Sequence, residues 1–445
     1  MKTDGVAECL IPKDAGNMTP AMYLDLASVS ASGAGYILIP ETIGLTMTKI
    51  VLLEKIHKSA VAHFQNEGFD EVVEIPTALA GNDLISALQD TDVVGIRSGT
   101  HLTAEVLKAL PKLRSIGCFC IGTNQVDLNT AAMRGIPVFN APFSNTRSVA
   151  ELVIAEAILL LRRIPEKNAR AHRGKWEKTA LGAYEARDKL LGIIGYGNIG
   201  SQLGVLAESI GMRVCYYDIE SKLPLGNAKP MATLEELLEQ ADIVSLHVPG
   251  GKATELLMDA RRLQLMKPSA ILINASRGGV VDIDALFEAL KEKRLSGAAL
   301  DVFPAEPKND KEEFVSPLRG LDNVILTPHI GGSTQEAQEN IGREVSDKLV
   351  RFLKAGTTRW AVNFPEIPHR EKEVRSRILH VHRNEPGVIA RMNADFAEMG
   401  LNIVAQQLQT RGPIGYAVTD VDAPISQALL SKLCKEPATI RCNLI

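Results

Sequence analysis

The hexapeptide Gly195-Tyr196-Gly197-Asn198-Ile199-Gly200 limits the possible folds of this chain more than any other feature, because of where it falls. An unbroken apolar run, 190–194, leads into it, and a helical pattern follows at 199–210. Asp218 closes the next apolar run, about twenty residues on. Three glycines in six residues are a weak signal alone, but between a strand and a helix they mark a dinucleotide-binding βαβ unit. Gly195 permits the tight turn, Gly197 lets a pyrophosphate approach the backbone, and Gly200 lets the helix pack close to the strand. The helix N-terminus offers free N–H groups and the positive end of its dipole to phosphate. Asp218 would accept hydrogen bonds from a ribose diol and repel a 2′-phosphate. Ile219 and Glu220 bring no cation to offset that repulsion, so NAD is expected rather than NADP.

The rest of the chain is organised around this unit. At 445 residues it is long enough for roughly three domains. Apolar runs at 190–194, 213–217, 243–248, 270–274, 298–302 and 324–327 alternate with helical patterns at 199–210, 234–239 and 284–291, which predicts a complete doubly wound parallel sheet. A weaker α/β series precedes it, with strand runs at 50–53, 72–75, 93–96, 115–118 and 137–140, followed by a long helix at 148–163. A helix at 334–353 returns toward that first lobe. Pro365, Pro368 and the charged run at 369–373 then read as a linker. The C-terminal residues change rhythm to βαββαβ, a ferredoxin-like plan. Residues 1–46 show no sustained periodicity and are expected to be a poorly ordered extension.

Composition removes several function classes. Lys+Arg 49 against Asp+Glu 53 leaves a net charge of −4, without the broad positive field that nucleic-acid binding needs. No run is long and apolar enough to span a bilayer, and acidic residues spoil a basic signal-peptide start, so a cytoplasmic location is expected. The six cysteines are scattered, and Cys118 and Cys120 have the wrong spacing for a zinc knuckle or a redox pair; no metal site is expected.

Three polar residues follow predicted strand ends in the second series: Arg277, Glu306 and His329. Ligands of open α/β sheets bind outside the carboxyl ends of the strands, so the three can converge on one crevice. Together they suit hydride chemistry on a 2-hydroxy acid. An Arg fork holds a carboxylate, a His takes the hydroxyl proton, and a carboxylate supports the resulting imidazolium.

The blocks 192–200, 273–279 (Ile-Asn-Ala-Ser-Arg-Gly-Gly), 301–307 (Asp-Val-Phe-Pro-Ala-Glu-Pro) and 327–334 (Thr-Pro-His-Ile-Gly-Gly-Ser-Thr) resemble the D-2-hydroxyacid dehydrogenases. Blocks 116–127 and 140–151 resemble, more narrowly, the bacterial phosphoglycerate-oxidising branch of that family. The resemblance implies that Arg277, Glu306 and His329 are catalytic. It places NAD contacts on Gly195, Gly197, Asn198, Ile199, Gly200, Asp218, Ala275, Ser276, Arg277, Asp301, His329, Ile330, Gly331 and Gly332. It also implies a Rossmann-type NAD-binding domain at 149–333 and a flavodoxin-like, split substrate-binding domain at 47–148 plus 334–365. A linker at 366–373 would lead to a ferredoxin-like ACT regulatory domain at 374–445.

The same resemblance implies 3-phosphoglycerate as substrate, oxidised in the first step of serine biosynthesis, with serine as feedback inhibitor and a homotetrameric assembly. Arg97, Asn145 and Arg277 fall on substrate-binding positions, with Arg147 nearby. Gly99 departs from the pattern, since the family carries a second Arg there. Another 2-hydroxy acid, such as 2-hydroxyglutarate, is therefore the alternative substrate, and an inactive NAD-sensing protein the alternative from a different class. His382, Asn384 and Asn402 match the family's serine-binding positions, and amide side chains suit an amino acid because they both donate and accept.

Overall fold

The computed structural model describes residues 48–307, 311–368 and 375–445. The expected N-terminal extension and most of the expected linker lie outside the described residues. Three sheets organise the rest. The first is parallel, with strands β1 (Ile50–Leu53), β2 (Val72–Ile75), β3 (Val93–Ile96), β4 (Ser115–Cys118) and β5 (Val138–Asn140). Its order, β2-β1-β3-β4-β5, is the flavodoxin-like arrangement, with its reversal point between β1 and β3.

The second sheet holds β6 (Leu190–Ile194), β7 (Arg213–Tyr217), β8 (Lys229–Pro230), β9 (Ile243–Leu246), β10 (Ile271–Asn274), β11 (Gly297–Leu300) and β12 (Val324–Leu326). The order β12-β11-β10-β9-β6-β7-β8 is doubly wound, and it reverses between β6 and β9. Its central strands are buried, apart from Leu190 at the start of β6, because helices cover both faces. Seven strands form where six were expected. The extra one, β8, is a two-residue edge pairing, too short to leave an apolar pattern.

The expected helix at 148–163 is Thr146–Leu161, and a second helix that was not expected, Ile164–His172, follows it. Arg163 between them adopts φ 55, in the left-handed region, which breaks the ladder and turns the chain.

The third sheet is antiparallel: β13 (Ser376–Arg383), β14 (Ile403–Arg411), β15 (Ile414–Val421) and β16 (Thr439–Leu444), in the order β14-β15-β13-β16. With helices Val388–Glu398 and Gln427–Lys435 it completes βαββαβ. One face of this sheet packs on its own helices through Ile378, Met392, Phe396 and Leu429. The other face, with Leu379, Val381, Ile414 and Tyr416, joins Ile50, Phe64, Phe352 and Leu353 in a single core with the first sheet's lobe.

That seam depends on Gly356. It ends the helix Gln335–Ala355 at φ 69, and a Cβ there would lie 2.2 Å from the Leu379 side chain. The Tyr416 hydroxyl donates to the Gly356 carbonyl at 2.6 Å. Among the described residues no helix is long and apolar enough to cross a membrane.

Candidate active site and cofactor crevice

Every residue expected to meet NAD lies at the carboxyl edge of the second sheet. Gly195 follows β6 at φ 91, and a Cβ there would come within 2.7 Å of the His247 carbonyl oxygen. This contact joins the loops after β6 and β9, where the strand order reverses. Gly200 is needed for a different reason, since a Cβ there would sit 2.3 Å from the Gly195 oxygen. Gly197 faces open space at the N-terminus of the helix Asn198–Ser209, with Asn198 and Ile199 in its first turn. Space and free N–H groups at that point fit a pyrophosphate. Asp218, one residue past β7, accepts from the Tyr196 and Glu220 N–H groups at 2.8 and 2.9 Å, which fixes the carboxylate at the carboxyl end of β7.

The next strand ends bring in the chemistry. Ala275, Ser276 and Arg277 follow β10. Ser276 is turned into the protein, its hydroxyl donating to Asn274 Oδ1 at 2.8 Å. The Arg277 guanidinium donates to the Ser276 carbonyl at 2.7 Å and stays half-buried. It forms part of the wall of a cleft of about 1060 Å³ between the 121–129 segment and the 249–255 loop.

Asp301, after β11, is 2% exposed, and its carboxylate is engaged by Thr327 Oγ1 (2.7 Å), Ile330 N (2.7 Å) and Gly331 N (2.8 Å). As placed, it grips the turn that carries His329. That turn needs gripping, because His329 sits at φ 54, an uncommon conformation for a residue with a Cβ. His329 Nδ1 lies 2.9 Å from Glu306 Oε2, while Glu306 Oε1 accepts the Phe303 N–H at 3.1 Å. Glu306, through its hydrogen bond, holds the imidazole pKa above the ordinary value against the opposing effect of burial. Burial, the largest influence on Glu306, would raise its pKa, but the His329 bond and charge, the Phe303 N–H bond and the Arg277 charge together outweigh it and leave the carboxyl below its usual range. With Nδ1 taken, Nε2 is the nitrogen left for substrate.

Two known families match parts of this chain. Residues 154–331 match the family described as D-isomer specific 2-hydroxyacid dehydrogenase, NAD binding domain, and residues 378–441 match the AHAS small subunit-like ACT domain. D-3-phosphoglycerate dehydrogenase of Haemophilus influenzae is 56% identical over 397 residues, covering 89% of this chain and 97% of that relative. The chain belongs to the D-3-phosphoglycerate dehydrogenase branch of the D-isomer specific 2-hydroxyacid dehydrogenases. The Escherichia coli K12 relative of the same name is 55% identical over 399 residues, again 89% of this chain and 97% of its own length. Among solved structures, Aquifex aeolicus D-lactate dehydrogenase complexed with NAD and lactic acid superposes with TM-score 0.60 at 28% identity, over 69% of this chain and 96% of that one. This dehydrogenase is therefore an NAD-binding oxidoreductase with a C-terminal ACT domain.

Not every expected site residue of the dehydrogenase meets the others. Arg97 follows β3 in the first lobe. Asn145 occupies the N-cap position of the helix Thr146–Leu161 without a side-chain capping bond and is packed under Gly332, its Nδ2 only 2.4 Å from where a Gly332 Cβ would stand. Arg147 is spent on an exposed pair with Glu151 at 2.5 Å. His382 is buried and stacked on His380 with ring centroids 5.1 Å apart. Asn384 and Asn402 flank opposite ends of the third sheet, because Arg383 pairs with Ile414 while Ile403 pairs with Val421 at the far end of β15. At about 3.3 Å per residue that separates them by about 20 Å.

Sequence reasoning missed three residues near the site. His247, just past β9, is recognisable by that position, but it is turned inward on Ser245 Oγ (2.8 Å), and burial pushes it down to about 4. Thr327 ties Asp301, and nothing in the sequence pattern announces that. Glu156 lies on the helix that backs β10 and β11, 2% exposed, with neither carboxylate oxygen partnered.

Burial, and then the nearby Asp301 charge, raise the Glu156 pKa to about 8. A carboxyl raised on folding binds its proton more tightly in the native state, so stability falls as pH climbs from the unfolded value through 8. Glu156→Gln removes that slope. Denaturation at pH 9 should show the variant more stable than the parent, by on the order of a few kcal/mol, with the two converging near pH 5. Parallel curves would mean that Glu156 is ionised in the fold.

Proposed function

We propose that this enzyme oxidises 3-phospho-D-glycerate to 3-phosphooxypyruvate with NAD as the oxidant, opening serine synthesis. The observation that carries the reading is the His329–Glu306 pair, 2.9 Å apart at the carboxyl edge of the dinucleotide-binding sheet, with Arg277 on the same edge. NAD, when bound, supplies the hydride acceptor. Arg277 clamps the substrate carboxylate through its fork. His329 Nε2 takes the hydroxyl proton, and Glu306 stabilises the imidazolium that this creates. Arg97 provides a cation from the first lobe for the phosphate. The names of the relatives support the phosphorylated substrate over 2-hydroxyglutarate.

The deciding assay measures NADH formation from 3-phosphoglycerate beside glycerate and 2-hydroxyglutarate. A preference for 2-hydroxyglutarate in kcat/KM would replace the substrate and leave the dehydrogenase.

Asp218 sets the cofactor in this reading. Asp218→Ala removes both a ribose acceptor and the repulsion of a 2′-phosphate, so the NAD over NADP preference in kcat/KM should fall by about tenfold or more. An unchanged ratio would assign the ribose to another residue.

Serine is the proposed inhibitor, bound between two copies of the chain in a homotetramer. The separation of Asn384 from Asn402 supports a shared site, since one chain alone keeps them at opposite ends of its sheet. The six scattered cysteines, whose spacing forms no disulfide framework, support a reducing, cytoplasmic setting. Serine dose–response on the full chain tests the site: Asn384→Ala and Asn402→Ala should each weaken inhibition, and an uninhibited parent would leave the ACT domain as an assembly module.

A further inference from the structure

The loop that carries Arg97 is held by a residue with no assigned role. Glu54 follows β1, and Arg97 follows β3, so they flank the point where the first sheet's strand order reverses. In open α/β sheets that point is where ligands dock. Glu54 Oε1 accepts the N–H groups of Arg97 (3.1 Å) and Thr100 (2.9 Å), and Oε2 accepts that of Gly99 (2.7 Å). Glu54 itself is at φ 64, the left-handed region that a residue with a Cβ rarely occupies.

From the other side, the buried Gln125 donates through Nε2 to the Arg97 carbonyl at 2.8 Å and to the Gly122 carbonyl at 3.2 Å. Gly122 in turn lies beside Arg277, whose Nη2 would be 3.7 Å from a Cβ at that position. Four bonds thus fix the backbone from Arg97 to Thr100. Its guanidinium, by contrast, is paired with no carboxylate among the described residues.

Gly99 fits the same arrangement. A Cβ there would meet Glu54 Oε2 at 3.0 Å and Ala78 Cβ at 3.1 Å, so the loop closes tightly on the carboxylate. Three N–H groups converging on one point make a site an anion would fill. Glu54 already fills it, so recognition of a substrate anion falls to the Arg97 side chain, which the clamp must aim.

We propose that Glu54 is a positioning residue for substrate, fixing the backbone that carries Arg97 beside the Gly122 wall of the cleft that Arg277 also lines, with Gln125 as the opposing half of the clamp. This rests on reading Arg97 as the cation for the substrate phosphate. A neutral amide cannot accept from all three N–H groups, and bonds to a charged acceptor are the stronger ones.

The test uses the full chain and three variants: Glu54→Gln, Arg97→Gln and the two combined. Glu54→Gln should raise KM for 3-phosphoglycerate by about tenfold, with a much smaller change in kcat and none in the Kd for NAD. KM for glycerate, which has no phosphate to meet Arg97, should stay within about twofold of the parent's, well short of the effect of a lost charged bond. The double variant should be no worse than Arg97→Gln alone, because both act through one cation.

Additive losses, or equal losses for the two acids with a lower melting temperature, overturn the proposal in favour of a merely structural cap. If Arg97→Gln leaves KM for 3-phosphoglycerate unchanged, the functional reading of Arg97 fails instead, and the two failures are told apart. Should Glu54→Gln not fold, Gln125→Met removes the opposing bond, and the same split between the two acids decides.

Discussion

His329→Asn lowers turnover by about 10²–10⁴-fold, the usual worth of a positioned acid–base group, while NAD binding stays close to that of the parent. Asn can hydrogen-bond but cannot carry a proton through the reaction. Glu306→Gln costs less and changes the pH profile in a defined direction. Oxidation needs neutral His329 as base, so activity rises with pH as the imidazole loses its proton. Glu306 holds that pKa above the ordinary 6.5, and the neutral Gln releases it. The alkaline-going limb of kcat against pH therefore moves to lower pH in Glu306→Gln.

The pair has a matching stability window. The His329 contribution is present below its unfolded pKa and is lost as pH rises through the raised folded value. The Glu306 contribution is present above its unfolded pKa and is lost as pH falls through the lowered folded value. A His329→Asn variant with parental turnover, or an unmoved limb in Glu306→Gln, would remove these residues from the mechanism.

Asp420→Asn destabilises the chain by about 3–5 kcal/mol. Arg377 and Asp420 pair across β13 and β15 through two bonds, at 2.6 and 3.0 Å, with side chains 6% and 2% exposed. Arg377 also donates to the Ala355 carbonyl at 3.2 Å, at the end of the long helix of the first lobe. Neutralising the acid leaves a guanidinium buried without its counter-charge. Replacing both partners with apolar residues of similar volume should recover much of the loss, because the intact pair itself carries a desolvation cost. Urea denaturation of the single and double variants measures this, and a loss below about 1 kcal/mol for Asp420→Asn would make the pair a solvated one.

The location of this pair bears on regulation. The third sheet shares a core with the first lobe, so a ligand that shifts the ACT domain acts on apolar contacts at Leu379 and Tyr416. Removing the domain would expose that whole face, and regulation is better probed by point substitutions in the intact chain.

What the amino-acid order alone determined follows from local rules. The glycine hexapeptide, flanked by an apolar run and an amphipathic one, specifies its strand, turn and helix through steric needs met within a few residues. Continuous apolar runs announce strands covered on both faces. Because parallel sheets bind ligands at their carboxyl ends, Arg277, Glu306 and His329 could be named from their positions after such runs. The helix Ile164–His172 and the edge strand β8 were not legible, since one follows a turn set by a single backbone angle at Arg163 and the other rests on two residues.

The tertiary structure decided everything that depends on distant segments meeting. Asp301 lies in an expected contact block, yet only the fold shows its carboxylate gripping the His329 turn. Glu54 reads as an ordinary charge after a strand until β1 and β3 lie side by side and three N–H groups reach its oxygens. Glu156 reads as one polar position in a helix until β10 and β11 cover it. Asn384 and Asn402 look like neighbours in a short domain until antiparallel pairing sends them to opposite ends of one sheet. Such contacts leave no periodic trace, because they join single residues far apart in the chain and their energies depend on burial that packing alone creates.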